Sequence, residues 1–235
     1  MNVESPILEL RDVRAGYGPI EVVHGVSLSI PTGAVVALLG PNGGGKTTIL
    51  NVCAGTLAPN AGEVHFDGQA VTTLSADGRA RRGMCTVPEG RGIFPNLTVR
   101  ENLLMATQVG VPMDRIEEVA IAQFPRLGPK RKQLAGTLSG GEQQMLALAR
   151  AFATDPKVLL LDELSLGLAP IVVAELYEKV RELASGGLSI LLVEQFARTA
   201  LPIADAAAVV LQGVIALQGS PGEMEEALSA SYLGA

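Results

Sequence analysis

Apolar residues along this chain fall in short unbroken runs, set apart by longer stretches in which they recur with helical spacing. Val35–Leu39, Met84–Val87 and Val158–Asp162 read as strands, as do residues 190–193 and 208–211. Val158–Asp162 is bulky and uninterrupted, the pattern of a central strand covered on both faces. Residues 7–13 and 22–30 alternate instead, which predicts antiparallel strands at the edge of the domain. Strands alternating with helical patterns, one of them Lys46–Ala54, predict an α/β fold built on a largely parallel sheet.

Residues 89–155 depart from this alternation. Helical spacing over 99–108, 115–124 and 141–153, punctuated by Pro95, Pro112, Pro125 and Pro129, predicts a mostly helical insertion between two strands. The expected division is a core of residues 5–88 and 156–220, a helical part of 89–155 and a tail of 221–235.

Composition narrows the function classes. Of 235 residues, 48% are hydrophobic and 18% charged, which excludes a disordered or fibrous chain. A net charge of −6, no Trp and 3% aromatics give neither the basic surface nor the stacking platform of a nucleic-acid binder. The apolar runs fall far short of the roughly 20 residues needed to cross a bilayer. The first residues show no secretory pattern. Cys53 and Cys85 read as two buried free thiols of a reducing compartment.

Residues 40–47, Gly-Pro-Asn-Gly-Gly-Gly-Lys-Thr, fit the phosphate-loop pattern, with a predicted strand before and a helix after. The glycines Gly40, Gly43, Gly44 and Gly45, with Pro41 and Asn42 between them, let backbone N–H groups face phosphate oxygens. The helix beginning at Lys46 adds its positive end. Lys46 is placed to reach the β- and γ-phosphates and the Thr47 hydroxyl to ligate Mg²⁺. Asp162 and Glu163 close the central strand, where α/β sheets bind ligands. Asp162 suits a magnesium contact, and Glu163 the general base that activates water.

Residues 138–144, Leu-Ser-Gly-Gly-Glu-Gln-Gln, open a helix. Ser139 is a good N-cap and Glu142 completes a capping box. Gly140 and Gly141 in the first turn cost about 1 kcal/mol each in helix stability. That cost predicts a close approach of the backbone to another group, and a helix N-terminus with bare N–H groups suits an anion.

The order and spacing of residues 40–47, 138–144 and 158–163 resemble the ATP-binding cassette (ABC) ATPases. The resemblance spans nearly the whole chain. It implies a P-loop NTPase fold with a RecA-like core, an antiparallel β part and a helical part. It also implies a head-to-tail dimer in which ATP is held between the phosphate loop of one cassette and the signature helix of the other. On this resemblance Tyr17 stacks on adenine, and Thr48, Ser139, Gly140, Gly141 and Gln143 join the nucleotide contacts. Ser165, Leu166, Gly167 and Leu168 map to the dimer-contact loop.

Glu89 stands where the family usually has Gln, as a contact to metal-bound water. Gln195 stands where it usually has the His that meets the γ-phosphate; an amide donates a hydrogen bond but carries no proton. Leu164 replaces the usual Pro, which predicts a looser turn after Glu163. Glu89 and Gln195, together with residues 141–151, 165–170 and the tail pattern from Ser229 to Gly234, resemble the second ATP-binding subunit of branched-chain amino-acid importers and their urea and amide relatives, a branch from which Leu164 itself departs. That branch implies permease subunits, a sister ATPase and an extracytoplasmic binding protein as partners, at the cytoplasmic face of the membrane. Ile93, Phe94 and Pro95 suit either a docking surface for the permease or a small local core. The rival readings are an ABC protein not coupled to transport and a module that binds nucleotide without hydrolysing it.

Overall fold

The structure, a computed structural model, describes residues 6–90 and 92–233, the side chains of 228–233 excepted. Strands β1 (Leu8–Tyr17) and β2 (Ile20–Ile30) form an antiparallel hairpin, and β4 (Ala61–Phe66) and β5 (Gln69–Ala70) extend it into a four-stranded sheet of order β2-β1-β4-β5. The second sheet has six strands. It uses β3 (Val35–Leu39), β6 (Met84–Val87), β7 (Val158–Asp162), β8 (Ser189–Glu194), β9 (Ala206–Leu211) and β10 (Val214–Gly219), in the order β10-β9-β3-β8-β7-β6. Only β10 pairs antiparallel there.

Every residue of β3, β7 and β8 is buried, and the alternation along each strand divides the core in two. Val36, Leu38, Leu160 and Leu191 pack with helix α1 (Lys46–Ala54) and the four-stranded sheet. Val35, Ala37, Leu39, Leu161 and Leu192 pack with α5 (Gly140–Phe152) and α6 (Pro170–Ser185) on the other face. A sheet covered on both sides is what its continuous apolar strands require.

Between β6 and β7 the chain is helical: α3 (Val99–Leu104), α4 (Met113–Gln123) and α5, joined by 3-10 turns. The helix expected over 99–108 changes to 3-10 form at Met105–Val109, and Gly110 (φ 94°) ends it. A short α2 (Ala76–Ala80) precedes β6, and α7 (Ala197–Ala200) and α8 (Pro221–Leu233) complete the chain. The tail pattern from Ser229 to Gly234 runs beyond the described residues.

The phosphate-loop helix α1 is anchored at its far end. The buried Arg79 guanidinium donates to the carbonyls of Val52 (2.6 Å) and Cys53 (2.7 Å), and also to Leu74 and Thr72. A cation there satisfies the orphan carbonyls of the helix and complements its dipole. Both cysteines are free; Cys53 is buried and Cys85 is half-buried, a partial departure from the expectation. Burial pushes the Cys53 thiol up to about 12, so it is a packing group and not a nucleophile.

Candidate functional site

Strand β3 delivers the chain to Gly40 (φ 154°), where an added Cβ would lie 2.3 Å from the Val210 carbonyl oxygen, so only glycine fits. Gly45 (φ 106°) then starts α1 without a side-chain cap, which leaves the first-turn N–H groups of the helix open to an anion. Lys46 is only 4% exposed. Its Nζ donates to the carbonyls of Gly40 (2.9 Å) and Pro41 (3.1 Å) and lies 3.5 Å from Glu163 Oε1.

Strand β7 brings Asp162 and Glu163 to the same place. Asp162 is buried and accepts a hydrogen bond from Thr47, yet its Oδ1 has no partner. Burial, with Glu163 and Glu89 nearby, raises its pKa from 3.8 to about 6, against the opposing pull of Thr47 and Lys46. Glu163 turns the chain at φ 46°, a left-handed conformation rare for a residue with a side chain. Asn42, Gly43, Gly45, Lys46, Thr47, Thr48, Glu89 and Glu163 share the walls of one cavity of about 250 Å³. Val22 of β2 completes it; this wall residue carries no sequence signal, because it is one more apolar position of an alternating strand.

The other expected contacts stand elsewhere. Tyr17, 51% exposed at the end of β1, accepts a hydrogen bond from Asn51 Nδ2 of α1 at 3.4 Å and presents its ring to solvent. Gln195 is exposed and lines not the loop cavity but a second one of about 650 Å³, which Glu163 also reaches. None of Ser139, Gly140, Gly141 and Gln143 lines the loop cavity. Ser139 caps α5, accepting from Glu142 N at 3.4 Å while Glu142 Oε2 accepts from Ser139 N at 3.0 Å. Glu142 is itself paired with Lys130. Gln143 Nε2 donates to the Ala135 carbonyl at 3.1 Å. The close approach expected at the glycine pair has a local cause at Gly141, where a Cβ would meet Val172 Cγ1 of α6 at 2.5 Å.

Leu164 is 1% exposed and packs in the core, so the turn after Glu163 is anchored and not loosened. Of the apolar trio, Ile93 packs against the core, while Phe94 stays 44% exposed with the Arg150 guanidinium 5.6 Å from its ring centre. Arg150 also donates to the Gly92 carbonyl at 2.5 Å. Arg150 gave no sequence signal, because its partners lie far along the chain. No described helix is long and apolar enough to cross a membrane.

One continuous match takes in the loop, the signature helix and the Asp-Glu pair: the family model for ABC transporters covers residues 23–165. The chain belongs to the ABC transporter ATPase family. As an ABC ATPase it hydrolyses ATP to power transport, and ABC ATPases work as dimers beside membrane permeases. It is 41% identical to the high-affinity branched-chain amino acid transport ATP-binding protein BraG of Pseudomonas aeruginosa, over 90% of this chain and 91% of that one. It is 37% identical to a probable branched-chain amino acid transport ATP-binding protein, LivF, of Archaeoglobus fulgidus, over 92% and 94%. It is 33% identical to the lipopolysaccharide export ATP-binding protein LptB of Escherichia coli, over 97% of both. Among solved structures, the ADP conformation of an ATP-binding cassette of an ABC transporter superposes with a TM-score of 0.86 at 27% identity, over 95% of both chains.

Proposed function

We propose that this ABC ATPase drives import of branched-chain amino acids, or of related small polar solutes, through permease subunits to which it binds at the cytoplasmic face of the membrane. The observation that carries this reading is the 41% identity to BraG across nine-tenths of both chains. The departures Glu89 and Gln195, which resemble the same branch, support it. In this reading residues 5–235 form one ABC ATPase domain, with the core, helical part and tail divided as the sequence predicts. A sister ATPase and an extracytoplasmic binding protein complete the transporter.

ATP enters the loop cavity with its phosphates over residues 40–48 and its adenine on Tyr17. Lys46 turns from Glu163 and its own loop carbonyls to the phosphates, a charge for which it is already positioned. Glu163 is then free to take a proton from the attacking water. Magnesium, when bound with the nucleotide, neutralises phosphate charge; Thr47, Asp162 and Glu89 would hold it directly or through water, and the unpartnered Asp162 Oδ1 beside the Thr47 hydroxyl suits such a hard cation. Ser139, Gly140, Gly141 and Gln143 stand away from this cavity and would meet the γ-phosphate of the partner cassette. Gln195 would reach the phosphate from beside Glu163 once the two cassettes close. Exposed Phe94 and its loop would meet the permease.

Reconstitution with its permeases and binding protein in vesicles tests the reading. Leucine, isoleucine or valine added with the binding protein should raise ATP turnover and enter the vesicles, and Glu163→Gln should stop both while ATP still binds. Stimulation only by an outward-moving lipid would contradict import. Parental turnover by Glu163→Gln would remove Glu163 from the role of base.

A further inference from the structure

Behind the Glu163 turn lies the 650 Å³ cavity, so residues 165–168 face open space on that side and packing alone does not fix them. What spans the gap is Glu194, the last residue of β8. It is 1% exposed, and both its oxygens are engaged. Oε1 accepts from the Ser165 backbone N–H at 3.2 Å and from the Tyr177 hydroxyl of α6, while Oε2 accepts from Ser165 Oγ at 2.9 Å. A carboxylate is costly to bury unless donors surround it, and here two of its three donors belong to the residue that lies two positions after Glu163.

The turn is thus tied at three successive residues. Glu163 N donates to the Val193 carbonyl at 3.0 Å, the Leu164 side chain enters the core, and Ser165 is held by Glu194. Two of these ties run to neighbouring residues of one strand, Val193 and Glu194, and the next residue along is Gln195. Left-handed backbone at a residue with a side chain persists only where its surroundings over-determine it. We propose that Glu194 is a positioning residue for ATP hydrolysis: by fixing Ser165 it holds the Glu163 turn, and so the Glu163 carboxylate, in place over the phosphate loop. Tyr177 steadies Glu194 from α6, and its hydroxyl remains a donor because burial and the neighbouring carboxylate raise its pKa. The inference rests on the reading of Glu163 as the base.

The test uses the full chain assembled with its permeases and compares Glu194→Ala, Glu194→Gln and Tyr177→Phe with the parent. A displacement of about 1 Å at a reacting group lowers rate by up to about 100-fold. Glu194→Ala should therefore reduce kcat at least about tenfold while KM and equilibrium binding of ATP stay within about twofold. Glu194→Gln, which keeps an acceptor for Ser165 N–H and Tyr177, should retain more of the rate, and Tyr177→Phe should lose about threefold. In a Glu163→Gln background, adding Glu194→Ala should leave the residual rate unchanged, because Glu194 acts through Glu163.

Parental kcat in both Glu194→Gln and Tyr177→Phe overturns the inference, whether or not the alanine variant folds. So does a parallel fall of kcat and ATP binding that persists in the Glu163→Gln background, since that marks a purely structural role. A parental rate in Glu163→Gln itself overturns the base assignment and the inference together. An inactive Glu163→Gln beside fully active Glu194 variants overturns the inference alone.

Discussion

Lys46 Nζ lies 3.5 Å from Glu163 Oε1, so the ammonium of the phosphate loop and the carboxylate at the end of β7 face each other in one cavity. Without nucleotide, Glu163 competes with phosphate for this lysine. Glu163→Gln weakens that competition. It should bind a non-hydrolysable ATP analogue about three- to tenfold more tightly than the parent, measured by titration calorimetry. Equal affinity would show that the pair does not oppose nucleotide entry.

Asp162 makes nucleotide-free stability depend on pH. Burial raises its pKa from 3.8 to about 6, so the folded chain favours the protonated form. The stability this gives is complete below the unfolded value and is lost as the pH rises through about 6. Asp162→Asn, neutral throughout and still able to accept from Thr47, should melt above the parent near pH 7, with the gap closing by about pH 4. Thermal melts across that range check it; a variant less stable than the parent near neutrality would contradict the sign. Binding of magnesium with nucleotide should weaken in the same variant.

Leu164 fills a buried site behind the Glu163 turn, at a position where the family usually carries Pro. Leu164→Pro should therefore leave ATP binding within about twofold of the parent and change turnover only modestly, whereas Leu164→Ala, which empties the site, should destabilise the chain by about 2–5 kcal/mol. Steady-state turnover and urea unfolding check the two. A fall of turnover beyond about tenfold in Leu164→Pro would show that this chain's turn needs Glu163 free to adopt φ 46°.

Arg79 should matter to stability in spite of its distance in sequence from the loop. Arg79→Ala removes the guanidinium donor from the buried carbonyls of Val52 and Cys53, leaving Val52 only the Gly55 N–H, and should destabilise the chain by about 1–3 kcal/mol. Urea unfolding of the nucleotide-free chain measures this. A loss below about 0.5 kcal/mol would mean that water replaces the guanidinium.

The parts of the fold legible in the sequence are those where local pattern and burial agree. β3, α1, β6 and β7 lie where unbroken apolar runs and the glycine loop place them, because strands covered on both faces need no alternation to be recognised. β4 and β10 gave no clear signal, since three of six residues in β4 and four of six in β10 are exposed and the buried alternation of β4 is confined to Val64 and Phe66. The loop cavity was legible, Val22 apart, because its other wall residues fall within 42–48 and at the motif positions Glu89 and Glu163. Glu194 was not: its partners Ser165 and Tyr177 lie 29 and 17 positions away, and an acidic residue ending a strand looks like the start of a surface turn. Gly141 misled in part, since its small size also serves contact with Val172 in its own chain.

Ser139 offers the most direct test that ATP is held between two cassettes, because within one chain it stands apart from the cavity that Lys46 and Glu163 share. In the assembled transporter, Ser139→Arg should leave ATP binding at the phosphate loop within about twofold of the parent and abolish turnover. Turnover at the parental rate, with ATP bound as before, would show that the signature helix takes no part in hydrolysis and would contradict the account.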